Sequence, residues 1–349
     1  MAFILSTKDV YRQAVESATG GKNTVMYDDK GNPSIMVRIP RFNLSDVIDG
    51  APNTPHPAFI VDGVTKSEIW ISKYQNIVQD GRAYSLPGMD PKVYITFDQA
   101  KAVCAAKGNG WHLITNAEWA AIALWCKKNG TMPRGNNQTG QDIDAPYEKG
   151  SRVGDGRTAT GSGPASWYHD GTNAGIADLN GNVFEWCDGL RLINGKIYVH
   201  HDNNFKTPVD DLTQWVDTGV FLDNSNPGDD QKLDHWISDS GLHLSDQRTH
   251  PLYTGGDVDS YYANTGRPFE SLPSKQGFTV PELLKYLAIA PADSGYRGDY
   301  IWARNYGNRF ARRGGDWGSG ANAGVFGLEL DAPRSDSWGS AGFRSALVI

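Results

Sequence analysis

Cysteine is scarce in this chain of 349 residues, and its scarcity excludes a good deal. Only Cys104, Cys126 and Cys187 occur, so the thiols cannot all pair within one chain. No Cys-x-x-Cys spacing exists, which argues against a zinc site built on thiolates. The three read as small buried apolar residues of a protein folded in a reducing compartment. Concentrated positive charge is also missing. The formal net charge is −7, and without a block of Lys and Arg a nucleic-acid partner is not expected, because phosphate binding demands clustered cations. No apolar run is long enough to cross a membrane. The opening Met1-Ala2-Phe3-Ile4-Leu5 is too short for the apolar part of a signal peptide and has no basic stretch before it, so export by an obvious route is not expected.

What is plentiful is glycine, at 40 residues, and tryptophan, at 11. Together they suggest a loop-rich fold whose irregular backbone is pinned by large aromatics. Ser6 and Asp9 open a capping box for a first helix, which Gly20-Gly21 stops. The Pro- and Gly-rich stretch 49–59 reads as a linker, giving a small N-terminal attachment or oligomerisation domain over 1–55 and a larger domain over 56–349. In the second part, 68–78 alternates like a strand. Thr96 with Gln99, and Thr115 with Glu118, form capping boxes for two helices, the second burying Trp119, Ile122, Ala123 and Cys126. Residues 190–300 are polar and poor in periodic segments, and read as a large insertion containing one short helix with Leu283, Leu284 and Leu287.

Four stretches together resemble the formylglycine-generating, sulfatase-modifying enzyme family: Ile71-Ser72-Lys73-Tyr74, the run from Trp111 to Trp119, the run from Leu179 to Trp186, and Arg313-Gly314-Gly315-Asp316-Trp317 with Gly342-Phe343-Arg344. They occur in the family's order. The resemblance implies an α+β, C-type-lectin-like fold, loop-rich, with the insertion and the N-terminal domain added. Glu185 and Arg344 are candidates for an internal ion pair, since buried charges need partners. Trp119, Trp186 and Trp317 should fill the space between loops.

The enzymes of that family hold copper with two cysteines, and the matching positions here are Ser319 and Gly324. No cysteine follows Cys187, and a soft metal needs thiolates. No catalytic residues and no cofactor are therefore expected, with Asn180 and Asn182 as candidates for a structural calcium ion at most. His200-His201-Asp202 reads as a solvated turn, Asp223 to Asp234 as an acidic surface loop, and Arg297-Gly298-Asp299 as a chance tripeptide.

The closing segment also resembles the variable region of proteins diversified by retroelements, with Gly320 to Phe326 and Arg334-Ser335 matching its fixed frame. Adenine-directed mutation in that family acts mostly on Asn codons of the AAC type, which can become Asp, Gly, Ser, Ala, Tyr or His. The resemblance then implies a ligand-binding set of Asn305, Tyr306, Asn308, Asp316, Gly318, Ser319, Gly327, Asp331, Ala332, Asp336, Gly339, Ser340 and Ala341, joined by Glu329 and Trp338, which no AAC codon yields. These lie in a variable region over 302–349. Glu329, Asp331, Asp336, Trp338 and Tyr306 are expected to form one exposed patch, with Trp317 and Phe343 in the frame. The function implied is non-enzymatic binding of a protein or glycan receptor on a cell surface, in a phage tail assembled in the host cytoplasm, with room for a homo-oligomer and no membrane insertion. The alternatives are a sulfatase-modifying-type oxidase and a binder displayed on a bacterial surface.

Overall fold

Reciprocal hydrogen bonds start both central helices. In the computed structural model, which describes residues 8–224, 237–238, 241–249 and 264–349, Gln99 N–H donates to Thr96 Oγ1 and Thr96 N–H returns to Gln99 Oε1. Glu118 and Thr115 repeat the arrangement. These boxes open helices Phe97–Ala105 and Asn116–Lys128. A first helix, α1, covers Lys8–Thr19 and stops at Gly20 and Gly21, both at positive φ. Its proposed cap, Ser6, and the acidic loop from residue 225 onward lie outside the described residues.

Two sheets organise the chain. The smaller begins with β1 (Asn23–Tyr27), β2 (Pro33–Pro40) and β3 (Glu68–Ser72). Helix α2 (Phe97–Ala105), β4 (Trp111–Leu113) and α3 (Asn116–Lys128) follow. The larger sheet is built from β5 (Phe184–Ile193), β6 (Lys196–His200), β7 (Trp215–Asn224), β8 (Leu242–Ser245), β9 (Asn264–Pro268), β10 (Tyr300–Arg304), β11 (Asn308–Gly314), β12 (Gly324–Ala332) and β13 (Ala341–Phe343). The last strand is β14 (Ser345–Leu347). Spatial orders are β1-β2-β3-β14-β4 in the smaller sheet and β9-β10-β12-β11-β5-β6-β7-β8 in the larger, with the short strand Ile237–Ser238 parallel to β9 at its edge and β13 parallel to β5.

The sheets meet at Gly342-Phe343-Arg344, where β13 passes directly into β14. Arg344 fixes that junction. Its Nε and Nη2 lie 2.6 Å and 2.5 Å from the carboxylate of Glu185, and its remaining donors reach the carbonyls of Ser72 and Ala177. This is the expected ion pair, fully buried and with its hydrogen bonds satisfied, the condition under which buried charges are tolerable. Trp119 and Trp186 are 0% exposed, as expected of core-filling aromatics. Trp317 is not a core residue. It is half-buried and lies against Gly156, where a Cβ would come within 1.9 Å of its ring.

Two expectations about organisation do not match the backbone. β2 pairs along its length with β3, Val37 opposite Ile71. Residues 23–40 are thus strands of the smaller sheet, and the Pro-rich stretch 49–59 connects them to it rather than separating a domain. Similarly, residues 190–300 supply β6 to β9 of the larger sheet. Their polar composition hid these strands, and the pairing of β6 with β7 shifts register between Lys196 and Tyr198.

Candidate ligand-binding groove

Two turns and a stretch of sheet create a depression at the end of β10 and β12. The first turn follows β11. Gly314 and Gly315 have φ of 90° and 79°, a backbone that side-chain-bearing residues rarely adopt. A Cβ on Gly315 would also lie 2.7 Å from that of Ala323. The chain doubles back here, presenting Asp316, Gly318, Ser319 and Asn322. Asp316 stiffens the turn: its Oδ1 accepts from Gly318 N–H (2.9 Å) and from Ser319 Oγ (2.8 Å). The second turn, between β12 and β13, presents Trp338 and Ser340.

The floor comes from the sheet. Trp302 on β10 pairs in register with Glu329 on β12, and Tyr300 packs on Trp302 with ring centroids 5.0 Å apart. Phe184, at the start of β5, meets Trp302 edge-on at 5.8 Å. Together with Gly266 of β9 these residues line a cavity of about 540 Å³. Gly266 is needed because a Cβ there would sit 2.4 Å from the Tyr300 ring.

Arg312 lies beneath the floor, fully buried. Its Nε is 2.5 Å from Glu329 Oε2, its Nη1 3.2 Å from Asp336 Oδ2 and its Nη2 3.5 Å from Asp331 Oδ1. Its guanidinium stacks over Trp338 (4.3 Å) and Trp186 (4.8 Å). Burial opposes the charge of Arg312, but the three carboxylates outweigh it and hold the pKa above the usual value. Burial likewise pushes Glu329 well above the ordinary carboxylate range, with Arg312 pulling against it.

Six of the expected residues converge on this groove: Asp316, Gly318, Ser319, Glu329, Trp338 and Ser340. Asp336 borders it through Arg312, and Gly339 is half-buried beside Tyr94. The others do not converge. Asn305 and Tyr306 are buried at the opposite end of β10, where Asn305 Nδ2 donates to Leu222 O and the Tyr306 ring lies under Arg309. Asn308 is exposed but opposite Ile193, at that same far end. Ala332 packs in the cluster of Phe97 and Phe310, Ala341 pairs with Phe184 inside the sheet, and a Cβ on Gly327 would lie 2.9 Å from Gly324 O. The expected exposed patch of five is accordingly reduced. Tyr306, Glu329 and Asp331 are 3%, 2% and 6% exposed, while Trp338 keeps 37%. Alternation along β12 does send Glu329 and Asp331 to one face, as read from the sequence, but Arg312 packs beside them and leaves little of either side chain exposed. Phe184, Gly266, Tyr300, Trp302 and Asn322 were missed. The aromatics Tyr300 and Trp302, two residues apart, were the available signal.

The other candidates have structural occupations. Asn182 Oδ1 accepts from Thr158 N–H and Asn136 Nδ2, and its Nδ2 donates to Gln75. Asn180 Nδ2 donates to Pro133 O and its Oδ1 accepts from Asn137 Nδ2 at 3.4 Å. Both side-chain oxygens are thus engaged within the protein. His200 is buried 3.6 Å from Asp188, and His201 pairs with Asp202 at 3.0 Å, so the two histidines do not converge. Asp299 is buried and accepts from Phe326 N–H (2.7 Å), so the tripeptide is not displayed; burial raises its pKa to about 8. At the positions matching the copper cysteines, the Ser319 hydroxyl is spent on Asp316. Gly324 admits no side chain, because a Cβ would lie 2.0 Å from Asp299 Oδ1. A copper site does not fit.

A family model described as the sulfatase-modifying factor enzyme 1-like domain matches residues 11–209. Among the groove's lining residues only Phe184 falls in that range. No curated protein matches the chain. Similar solved structures include PvdO from Pseudomonas aeruginosa, with 14% identity and a TM-score of 0.39 over 93% of this chain and 98% of that one. Treponema denticola variable protein 1 shares 15% identity, with a TM-score of 0.34 over 93% and 98%. A Major Tropism Determinant U1 variant shares 11%, with a TM-score of 0.31 over 93% and 71%.

Proposed function

The chain belongs to the family of sulfatase-modifying factor enzyme 1-like domains, and from that premise we propose that it binds a ligand rather than oxidising one. The observation that carries the reading is convergence. Six residues expected of the closing segment from its resemblance to a retroelement-diversified variable region line one groove, five on two turns and Glu329 on β12, all held by a rigid frame. Binding residues concentrate on loops that a scaffold positions. The lack of thiolates at Ser319 and Gly324 supports the same reading. The ligand is a receptor on a cell surface, protein or glycan, and the protein acts in a phage tail. Display on a bacterial surface is the second reading.

The flanking DNA tests the diversification. A near-identical repeat of the segment, differing only at adenines and lying beside a reverse transcriptase gene, is the expected result; a single undiversified copy overturns it. Enzymatic activity is tested separately. Incubation with copper, oxygen and a sulfatase-motif peptide should leave the peptide's cysteine unchanged, and formylglycine in the product would restore the oxidase.

A further inference from the structure

The groove's own chemistry narrows its ligand, an inference that rests on the binding role proposed above. Phe184, Tyr300, Trp302 and Trp338 wall it, and its charged lining residues are Asp316 and Glu329, both acidic. The cation beneath, Arg312, is outnumbered by Glu329, Asp331 and Asp336. Glu329 Oε2 is buried in ion contact with Arg312 Nε, 2.5 Å away, in a geometry poor for a hydrogen bond, so no well-directed donor reaches it. A buried carboxylate oxygen in this condition carries an unmet demand for a donor. Aromatic faces next to a carboxylate favour cations, through the ring quadrupole and through contact with the aliphatic stem. The chain already satisfies one cation in this way, since Arg312 lies between the rings of Trp186 and Trp338 with carboxylates at its end.

We propose that the groove receives a lysine or arginine side chain displayed by a protein receptor, with Glu329 as its ion partner and the aromatic walls packed along its methylenes. An arriving cation adds to the pull of Arg312 and favours the ionised form of Glu329, which burial alone disfavours. An acidic group would meet two carboxyls and no base among the lining residues.

Fluorescently labelled peptides with a Lys-Lys, Glu-Glu or Leu-Leu centre between glycines, titrated with the whole protein, test this. The Lys-Lys peptide should bind at least about tenfold more tightly than the other two, and Glu329→Gln or Trp302→Ala should each weaken it by about tenfold. Asp80→Asn, on a distant turn, should change nothing, and a thermal melt of each variant checks folding. Equal binding of all three peptides overturns the cationic ligand. Selection from displayed random peptides separates this failure from failure of the binding role. Enriched acidic or apolar sequences that Ser340→Trp abolishes overturn the cation and keep the groove, whereas no enrichment, or enrichment indifferent to Ser340→Trp, overturns both.

Discussion

Arg312 on β11 and Glu329 on β12 are register partners across an antiparallel pair, and their side chains close the same pair with a 2.5 Å ion contact. Neither side chain is more than 3% exposed. The groove floor rests on that contact, because Trp338 stacks on the guanidinium and Trp302 lies opposite Glu329.

Removing the guanidinium should therefore cost more than neutralising the carboxyl. Arg312→Ala leaves Asp331 buried without its counter-charge, Glu329 without its partner and Trp338 without the guanidinium it stacks on, an expected loss of about 3–5 kcal/mol. Glu329→Gln should cost far less, since burial already favours the uncharged form. Urea denaturation of both variants measures the difference, and equal losses would contradict it.

Two glycines on the same segment should behave in opposite ways. A Cβ on Gly318 meets only Asp316 Oδ1, at 3.6 Å, whereas one on Gly327 meets a backbone oxygen at 2.9 Å. Gly318→Ser should stay within about 0.5 kcal/mol of the parent. Gly327→Ala should lose about 1–3 kcal/mol from overpacking. If thermal melts show the reverse, the first turn is not the tolerant part of the surface.

Frame and rim separate in the same manner. Phe343→Ala and Trp186→Ala should each cost about 3–5 kcal/mol, as expected for fully buried aromatics. Trp317→Ala should cost roughly half of that, given its partial exposure. Ser340→Ala should fall within about 0.5 kcal/mol, while Asp316→Ala should exceed it, having lost two hydrogen bonds that hold the turn. Ligand binding should respond to the rim changes and survive at the frame wherever the protein still folds; the opposite pattern would place the ligand elsewhere.

Asp299 gives the stability a pH dependence of known sign. Its folded pKa, raised by burial to about 8, lies above the unfolded value of about 3.9. Below about pH 4 both states hold the proton. Between there and about 8 only the unfolded chain releases it, so stability falls by at most about 1.4 kcal/mol per pH unit, then levels off. Asp299→Asn keeps an acceptor for Phe326 N–H and removes the slope. Denaturation midpoints of both proteins from pH 5 to 9 should diverge as pH rises; a constant gap would show that Asp299 is ionised throughout.

Local signals determined the helices, because a capping box needs only residues three apart, and Thr96 with Gln99 and Thr115 with Glu118 bond as their spacing implies. The Glu185–Arg344 pair was also legible, since two charges inside apolar motifs must find each other or unfold the protein. Asp316, Gly318, Ser319 and Ser340 were marked by the resemblance of the closing segment to a variable region; the turn at Gly314 and Gly315 then carries the first three to the groove, and the second turn carries Ser340. Tertiary structure alone decided the rest. Residues 23–40 were tied to β3, and through it to β14, of one sheet, and β6 to β9 were added to β5 and β10 of the other, joins that no strand's own sequence specifies. It also decided which alternating residues see water. Glu329 and Asp331 point to one face, as the two-residue period of a strand requires, but whether that face is solvent or Arg312 depends on a neighbouring strand, which no pattern within β12 encodes. The same dependence assembled the aromatic wall, with Phe184, Tyr300, Trp302 and Trp338 brought together from three distant stretches by the order of the strands.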